Sequence, residues 1–200
     1  MKGIIHQIFF KFTDKNLEDW DCYVEGSKKW QKFCKDNDWE YQLHTEVDES
    51  IMTEEEIRIM NLASDRYFFC KQNFYRLIVL NKFGGMYVDL DVSPTDNFEK
   101  IKDNEIIIGC SVNPDSPQGT YYVNDNVMKF PPELSAKLLK YSMEQVDEKL
   151  KIGVYKTWLR RFYLHTVSAK MVYRFCQKHK ISVDDNWHDY FIDYNTQTWD

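Results

Sequence analysis

Residues 84–91 read Gly-Gly-Met-Tyr-Val-Asp-Leu-Asp and combine a helix stop, a short strand and two carboxylates. The apolar stretch before them, Tyr67 to Phe83, contains neither Gly nor Pro and predicts a buried helix that ends at the glycine pair. Met86 to Asp89 then predicts a short strand that ends in carboxylates. Because residues i and i+2 of an extended chain point the same way, Asp89 and Asp91 can face one site.

Two carboxylates in this arrangement suit Mn²⁺ or Mg²⁺, which prefer hard oxygen ligands. Ligands of open α/β sheets bind beyond the carboxyl ends of strands, where a metal would neutralise the charge of a departing diphosphate. A lone Asp-x-Asp triplet is weak evidence, since most such triplets are solvated turn acids. Here Gly84-Gly85 and the apolar neighbours place the acids at the edge of a core, where unpaired carboxylates are costly without a cation.

The rest of the chain alternates predicted strands and helices. Before the buried helix we expect a first, central strand at 4–10, a helix at about 17–34, a strand at 39–43 and a helix that is capped by Thr53 with Glu56 in a capping box. After the Asp pair we expect a strand at 105–110, a loop at 113–119 and short strands at 121–123 and 127–130. The chain then continues with a helix at about 133–150, a helical region at about 154–179 that can break near 165–168, and a last strand within 190–199. This order predicts an α/β fold with a mostly parallel sheet, in a single domain that spans residues 1–200.

The composition excludes several classes of protein. A formal net charge of -6 disfavours a nucleic-acid binder. No segment approaches the roughly 18–20 apolar residues that span a bilayer, and the N-terminus lacks a signal-peptide cleavage pattern, so we expect a cytoplasmic or soluble protein. The aromatic share of 16% fits either a core or a binding cleft. Five scattered cysteines predict buried reduced thiols and not a zinc site or a disulfide framework: Cys22, Cys34, Cys70, Cys110 and Cys176.

The stretch NFYRLIVLNKFGGMYVDLDV at 73–92 resembles the central signature of the DXD-containing glycosyltransferases with a GT-A fold. That group includes fungal Golgi mannosyltransferases, bacterial capsular-polysaccharide sugar transferases and the catalytic domains of the large clostridial glucosylating toxins. The positions that match its pattern in register are Arg76, Leu80, Gly84, Gly85, Tyr87, Asp89 and Asp91. Weaker similarities cover the first strand, WEYQLH at 39–44, VNDNVMKF at 123–130 and TQTW at 196–199.

The resemblance implies a GT-A-like nucleotide-binding sheet flanked by helices. It also implies a metal-dependent glycosyltransferase that moves a sugar from a nucleoside-diphosphate sugar, expected to be UDP-linked, to a glycan or protein-linked acceptor. Asp91 would bind Mn²⁺ or Mg²⁺ directly. Asp89 would contact the ribose or sugar, or the metal through water, and Arg76 would reach the donor sugar or its phosphate.

The resemblance also assigns the nucleotide base to the end of the first strand. The residues expected to hold the base are His6, Gln7, Ile8 and Phe9. Phe9 falls where the family often has Trp and would stack on the base, whereas the structural alternative for Phe9 is packing in the core.

Two departures from the family pattern concern the donor side and the C-terminus. Asn73 stands where the family has Asp before the arginine, and it can hydrogen-bond a sugar hydroxyl without charge. Asp65 lies further upstream and either faces the site from a helix start or caps that helix at the surface. Asp193 stands near the family's C-terminal His and is a candidate third metal ligand. His188 is a nearby alternative that otherwise lies on the surface.

Asp125, within Asn124-Asp125-Asn126, is the candidate carboxylate on the acceptor side. In an inverting enzyme it would act as general base on the acceptor hydroxyl, whereas in a retaining enzyme it would bind the acceptor or donor. The structural alternative is a turn, because Asn and Asp favour local hydrogen bonds and left-handed geometry. His165 could touch a diphosphate, but its aromatic surroundings favour a structural role.

Two other functions are compatible with the same residues. A metal-dependent phosphohydrolase or nucleotidyltransferase could use the Asp pair, although it generally needs more carboxylates. A non-catalytic module that binds nucleotide sugars or glycans would retain the fold without turnover. The length fits either a compact soluble enzyme or the first domain of a longer polypeptide.

Overall fold

A computed structural model describes residues 3–11, 14–62, 68–112, 121–151, 168–182 and 187–194. Within these ranges the strands are β1 (Ile4–Ile8), β2 (Glu40–His44), β3 (Met86–Val88), β4 (Val92–Pro94), β5 (Ile107–Val112), β6 (Tyr121–Lys129) and β7 (Phe191–Asp193). The helices are α1 (Asp21–Asp36), α2 (Glu54–Met60), α3 (Phe68–Phe83), α4 (Pro132–Lys151), α5 (Ala169–His179) and α6 (Trp187–Tyr190). Short 3-10 turns cover Leu17–Asp19, Glu49–Ile51 and Asp96–Lys100.

The main sheet of the described chain has the strand order β2-β1-β3-β6-β5. β2, β1 and β3 are parallel, and β6 runs antiparallel to both of its neighbours. Four of these five strands therefore point in one direction, which confirms the predicted α/β class with a mostly parallel sheet. β1 is internal as expected, but the middle position belongs to β3, because β6 and β5 extend the sheet on its far side.

Both faces of the sheet are covered, as the alternation along β3 requires. Tyr87 belongs to a core cluster that includes residues of α3, α4 and α5. Met86 and Val88 point to the other face, where Trp30 of α1 packs among the aromatic rings of the C-terminal elements. The sheet is therefore a buried layer with a core on each of its faces.

The local signals around α2 and α3 act as the sequence predicts. Thr53 and Glu56 form the capping box: the Glu56 N–H donates to Thr53 Oγ1 at 3.3 Å, and the Thr53 N–H donates to Glu56 Oε2 at 2.7 Å. α3 ends at Phe83, and the two following glycines have φ angles of 68° and 77°. Such left-handed geometry favours glycine and lets the chain reverse directly into β3.

The structure differs from the expected elements in three places. The helix predicted at 17–34 is interrupted at Trp20, which separates a 3-10 turn from α1. The two short strands predicted at 121–123 and 127–130 form one strand, β6, because pairing with β5 and β3 keeps the intervening residues extended. The elements β4 and α6 and the turns Glu49–Ile51 and Asp96–Lys100 were not predicted. The expected helix over 154–167 and the TQTW segment lie outside the described residues.

Other expectations about the chain concern its thiols and its apolar segments. Cys34, Cys70 and Cys176 are buried free thiols, as predicted, and Cys22 is partly buried. Among the helices in the described ranges, none combines the length and the apolar character needed to cross a bilayer.

Candidate active site

The turn Asp89–Asp91 joins β3 to β4 at the carboxyl end of the parallel strands. The Asp89 N–H donates to the Asn126 carbonyl of β6 at 2.7 Å. The Asp89 carbonyl accepts from Gln7 Nε2 of β1 at 3.1 Å and from the Val92 N–H at 3.1 Å. The backbone of Asp89 is thus fixed by both neighbouring strands of the sheet, so its carboxylate projects from a rigid base.

Gln7 is the link between β1 and this turn. A carbonyl oxygen can only accept, so the Gln7 Nε2 must face Asp89 and its Oε1 must face the other side. That oxygen accepts from the Tyr41 hydroxyl at 2.8 Å and from Ser27 Oγ at 3.1 Å. Gln7 has no exposed surface, and these contacts direct its amide into the protein interior. The described contacts therefore give Gln7 a positioning role toward Asp89.

Helix α1 packs directly on the backbone of the same turn. A Cβ atom added at Gly26 would lie 2.2 Å from the Leu90 carbonyl oxygen, closer than any side chain can approach. One turn further on, Trp30 Nε1 donates to the Val92 carbonyl at 2.9 Å. Because Gly26 has no side chain, α1 can pack directly against the backbone of the Asp89–Asp91 turn.

Arg76, at the middle of α3, lies between two of the predicted carboxylates. Its Nη1 is 3.5 Å from Asp89 Oδ1, and its Nη2 is 3.4 Å from Asp125 Oδ2. Its Nη1 also donates to the Asp125 carbonyl. The guanidinium lies 4.9 Å from the centroid of the Tyr87 ring, whose hydroxyl donates to Asp89 Oδ1. The structure thus brings together Arg76, Asp89 and Asp125, three of the residues assigned to the site from the sequence.

Negative charge exceeds positive charge at this site. Burial raises the pKa of Asp89 to about 7, the Asp91 and Asp125 carboxylates shift it in the same direction, and Arg76 opposes them. Burial also raises the pKa of the Tyr87 hydroxyl, with Asp89 as the next contributor. An ionised Asp89 is therefore unfavourable unless further positive charge is present, as expected for a carboxylate that binds a cation.

Three buried polar atoms around the turn have no hydrogen-bond partner. They are Arg76 Nε, Asp125 Oδ2 and Asn126 Oδ1. Most buried polar atoms in folded proteins are hydrogen-bonded, so three exceptions on neighbouring residues indicate a site built for further polar contacts. Of the two oxygen atoms, Asp125 Oδ2 is ion-paired with Arg76, and Asn126 Oδ1 faces Gly109 of β5, where an added Cβ atom would lie 2.0 Å from it. The guanidinium N–H is a donor for an anionic or hydroxylated ligand.

The C-terminal strand brings Asp193 to the same turn. β7 pairs with β4 so that Asp193 lies opposite Val92, and the Tyr194 N–H donates to the Asp91 carbonyl at 3.0 Å. Asn126 Nδ2 donates to Asp193 Oδ2 at 2.8 Å. Asp193 is therefore a neighbour of the turn in space, although its role as a third ligand stays a prediction.

The donor set around the turn fits a hard divalent cation. Its carboxylates are the ligands that Mn²⁺ and Mg²⁺ prefer. Burial raises the pKa of Asp89, and the neighbouring Asp91 and Asp125 carboxylates add to that shift. Within the described ranges no three acidic, imidazole or thiol groups lie close enough together to hold a metal ion. A partial shell is what a metal requires when water and substrate phosphates supply its remaining ligands.

The side chains at the end of β1 point into the protein. His6 has no exposed surface: its Nε2 lies 3.2 Å from the Gly84 carbonyl, and its Nδ1 lies 3.2 Å from His44 Nε2. The carbonyl can only accept, so His6 carries its proton on Nε2 and accepts a hydrogen bond from His44. Burial and the neighbouring His44 lower the pKa of His6 to about 3, which keeps the ring neutral.

Ile8 and Phe9 are also buried, at 3% and 7% exposure. The Phe9 ring packs edge-on against Tyr23 with 6.5 Å between centroids, and it shares a small core cluster with Leu90. These contacts are the ones expected if Phe9 packs in the core. The assignment of His6–Phe9 to the nucleotide base stays a prediction.

The remaining predicted residues are Asn73, His188, Asp65 and His165. Asn73 lies one turn before Arg76 on α3 and is partly exposed. His188 lies on α6, but its side chain falls outside the described residues. Asp65 and His165 also lie outside them.

Comparison with known proteins supports the interpretation of this turn. A family model described as "Glycosyltransferase sugar-binding region containing DXD motif" matches residues 13–108, which include α1, Arg76 and the Asp89–Asp91 turn. The resemblance to the DXD-motif glycosyltransferases is therefore confirmed. No curated protein matches the chain.

Two solved structures that resemble this chain are glycosyltransferases by their titles. One, "PaToxG Glycosyltransferase", superposes with a TM-score of 0.55 at 9% identity, over 94% of this chain and 73% of that chain. Another, a glycosyltransferase "involved in the glycosylation of the major capsid of PBCV-1", has a TM-score of 0.40 at 12% identity, over 72% of this chain and 66% of that chain. The similarity to the first supports the GT-A-like fold of this chain.

Several positioning residues of this glycosyltransferase-like site were not predicted. Gly26, Ser27 and Tyr41 support the turn or Gln7 from α1 and β2, and nothing in their local sequence indicates this. The role of Tyr87 could have been predicted from the sequence, because this residue occupies a fixed position in the family pattern. Asn126 follows the predicted Asp125 but contacts different residues.

Proposed function

We propose that this chain is a metal-dependent glycosyltransferase that moves a sugar from a UDP-sugar to a carbohydrate or glycoprotein acceptor. The observation that carries the proposal is the concentration of carboxylates at the turn after β3. Asp89 and Asp125 flank one buried cation, Arg76, and Asp91 lies close enough to raise the pKa of Asp89. The family match includes the Asp pair and Arg76, and the fold is that of a glycosyltransferase.

Asp89 and Asp91 would hold Mn²⁺ or Mg²⁺, with Asp193 as a third oxygen ligand. A bound divalent cation would neutralise the charge that develops on the diphosphate leaving group. This assignment is supported by the carboxylate donor set and by the raised pKa of Asp89, because a cation restores the charge balance that Arg76 alone leaves incomplete.

Arg76 would contact the donor sugar or its phosphate. Its orientation is fixed by Asp89, Asp125 and the Tyr87 ring, so little side-chain entropy is lost when a donor binds. Its Nε is buried without a hydrogen-bond partner and is therefore the guanidinium atom that still lacks an acceptor. Asn73, on the same face of α3 one turn earlier, would bind a sugar hydroxyl.

Asp125 has two candidate roles, general base and support for Arg76. Its carboxylate is 12% exposed and forms an ion pair with Arg76, an arrangement that favours the support role. A general base must reach an acceptor hydroxyl, so an inverting reaction would require Asp125 to turn toward the acceptor. The anomeric configuration of the product distinguishes the two roles, because only an inverting reaction needs the base.

The proposal is tested by incubating the protein with a panel of UDP-sugars and Mn²⁺ and following UDP release. We expect turnover with at least one donor, its loss on chelation and its recovery on addition of Mn²⁺. Asp91→Asn should lower kcat/KM by roughly 100-fold or more, because charge stabilisation is a major part of such catalysis. Asp96→Asn is the matched control, since it removes an exposed carboxylate just beyond β4 and should leave turnover unchanged.

The other outcomes separate the alternative functions. Release of inorganic phosphate or pyrophosphate would indicate a phosphohydrolase or nucleotidyltransferase. Binding of a UDP-sugar without turnover would indicate a non-catalytic module. The proposal is overturned if no donor binds or reacts and Asp91→Asn behaves like the wild type.

A further inference from the structure

The charges of the chain are unevenly distributed along its sequence. Of the 26 lysines and arginines, nine lie between Lys149 and Val183, a stretch that contains neither Asp nor Glu. The other 17 share the rest of the chain with all 32 acidic residues. A protein of formal net charge -6 therefore contains one strongly basic stretch, and helix α5 lies within it.

Helix α5 has two sides of opposite character. The side that packs into the core shared with α3 and α4 consists of Met171, Val172, Phe175 and Cys176. The opposite side, here called the α5 outer face, is exposed and consists of Lys170, Tyr173, Arg174, Gln177 and Lys178. Because these five positions follow one another at three- or four-residue spacing, they form a single row along the helix. The buried side fixes the helix, so the outer face is displayed on a rigid support.

The three cations of the α5 outer face are not explained by the stability of the helix. Lys170 lies in the first turn, where the helix dipole disfavours positive charge, and that turn contains no acidic residue. Lys178 is favoured by the dipole in the last turn, but Arg174 lies four residues from both lysines, and like charges at this spacing destabilise a helix. The row of cations therefore indicates a partner outside the helix.

The described part of the chain does not neutralise this row. None of the ion pairs among the described residues includes Lys170, Arg174 or Lys178. Lys178 Nζ lies 5.0 Å from the centroid of the Tyr141 ring on α4, a contact that leaves its charge in place. Tyr173 lies between the cations and is 41% exposed, and its hydroxyl accepts from Gln177 Nε2 at 2.6 Å. The outer face thus presents three cations around an exposed aromatic ring.

This combination suits a lipid surface better than a folded partner. A site that selects one anionic group holds its donors in fixed positions, whereas Lys170, Arg174 and Lys178 are exposed on long side chains that can adapt to a fluid layer of headgroups. Tyrosine is enriched at membrane–water interfaces, because its ring is apolar and its hydroxyl is polar. In physiological salt, electrostatic attraction is screened over about 8 Å, so the local charge of the face matters more than the net charge of the protein.

We propose that the α5 outer face docks the protein on the surface of an anionic phospholipid bilayer. The binding is peripheral: the cations lie among the headgroups and Tyr173 lies at the interface, while the apolar side of α5 stays in the core. Each lysine or arginine near such a surface strengthens binding by about fivefold, so the three cations together contribute about 100-fold. This property is additional to the proposed glycosyl transfer and does not depend on it.

The test measures flotation of the whole chain with lipid vesicles, without UDP-sugar or Mn²⁺. We expect binding to phosphatidylcholine vesicles that contain about 30 mol% phosphatidylserine, no binding to pure phosphatidylcholine, and loss of binding in about 1 M salt. The triple variant Lys170→Gln, Arg174→Gln, Lys178→Gln should lower the partition coefficient by about 100-fold. Its melting temperature should not fall, because the three side chains are exposed and their mutual repulsion is removed.

Helix α1 provides a matched control. Lys28, Lys32 and Lys35 are also exposed, and their replacement by Gln removes the same three charges from the protein. These lysines alternate with acidic residues, and Lys32 pairs with Asp36, so we expect vesicle binding to stay within about twofold of the wild type. An equal loss in the two triple variants would show that binding follows net charge, and the assignment to α5 would be wrong.

The remaining outcomes separate a bilayer from other anionic partners and from the proposed function. Absence of wild-type binding to the phosphatidylserine vesicles at about 0.15 M salt overturns the inference. Poly-glutamate is the soluble comparison: if the wild type binds it through the α5 cations but does not bind vesicles, the face recognises an acidic polypeptide and the inference is also overturned. Because no measurement uses a donor sugar or a cation, failure of UDP-sugar turnover leaves this result unchanged.

Discussion

Arg76 Nη2 lies 3.4 Å from Asp125 Oδ2, and this buried ion pair joins the middle of α3 to the middle of β6. The two side chains are 5% and 12% exposed, so neither charge is well solvated. Asp89 approaches the same guanidinium at 3.5 Å from the other side. Arg76 therefore holds together two carboxylates that would otherwise repel each other in a water-poor environment.

Removal of Arg76 should destabilise the fold strongly. Arg76→Ala leaves Asp89 and Asp125 without their shared cation, and loss of one partner of a buried pair costs about 3–5 kcal/mol. Arg76→Lys keeps the charge but loses the planar guanidinium and its stacking on Tyr87. Its free energy of unfolding should therefore lie between those of the wild type and Arg76→Ala. The measurement is urea unfolding at pH 7.5. Arg58→Ala, at an exposed ion pair, should cost less than about 1 kcal/mol. Equal losses at the two sites would contradict this explanation.

The raised pKa of Asp89 predicts a pH-dependent stability difference. The pKa rises from 3.8 to about 7 in the folded state, so the contribution of Asp89 to stability is complete below pH 3.8 and is lost as the pH rises through 7. Asp89→Asn imitates the neutral form. We expect it to be more stable than the wild type by roughly 1–2 kcal/mol at pH 8 and no more stable at pH 4, after discounting for a carboxylate that is 34% exposed.

The control for that comparison is Asp14→Asn, which removes an exposed carboxylate far from the turn in sequence. Thermal unfolding of the three proteins at pH 4 and pH 8 gives the required differences. Mn²⁺ should raise the stability of the wild type at pH 8 and leave Asp89→Asn unchanged. A constant difference between wild type and Asp89→Asn at both pH values would show that the carboxyl does not titrate as described.

The close approach of α1 to the turn predicts that Gly26→Ala is harmful. The new Cβ atom would meet the Leu90 carbonyl at 2.2 Å, and neither backbone can move without disturbing β4 or the helix. Overpacking of this kind costs about 1–3 kcal/mol. Lys28→Ala, on the exposed side of the same helix, should be neutral in chemical unfolding. The contact is not as described if the two variants have the same unfolding midpoint.

The buried histidine pair predicts sensitivity to acid. The pKa of His6 falls from 6.5 to about 3 on folding, so its contribution is complete above pH 6.5 and is lost as the pH falls toward 3. One proton fits between His6 Nδ1 and His44 Nε2, so a second proton on His6 would break their hydrogen bond. Over that range the free energy of unfolding should fall by about 1.4 kcal/mol per pH unit.

This acid sensitivity is measured by urea unfolding between pH 6 and pH 4. His6→Gln lacks the titrating group, and its stability should vary less with pH than that of the wild type. His179→Gln, at an exposed histidine of α5, should keep the wild-type dependence. Parallel curves for all three proteins would assign the acid sensitivity to other groups.

The features of the fold that were predicted from the sequence are those that depend on residues close together in the chain. The capping box at Thr53 and the helix stop at Gly84 depend on residues within one turn of each other, so they can be recognised without knowledge of the fold. The carboxylates of the Asp89–Asp91 turn were found for the same reason, since their spacing and the glycine pair lie in a single short segment.

The parts that were missed depend on distant partners. Asn124-Asp125-Asn126 has the composition of a turn, but pairing with β5 and β3 makes it strand. The contacts of the Gln7 amide with Ser27, Tyr41 and Asp89 were not predicted either. Those partners come from three other elements, and no periodicity within β1 indicates which of them will be close in space.

The turn after β3 depends on hydrogen bonds that span nearly the whole described chain. Gln7 reaches Asp89 across 82 residues, and Asn126 reaches Asp193 across 67. Contacts of such sequence separation form late in folding, because the intervening loop must close first. In the described part of the chain β4 pairs with β7 alone, so during synthesis this pairing must wait until residue 193 has left the ribosome. A nascent chain can therefore hold the sheet and α3 in place well before its site is assembled.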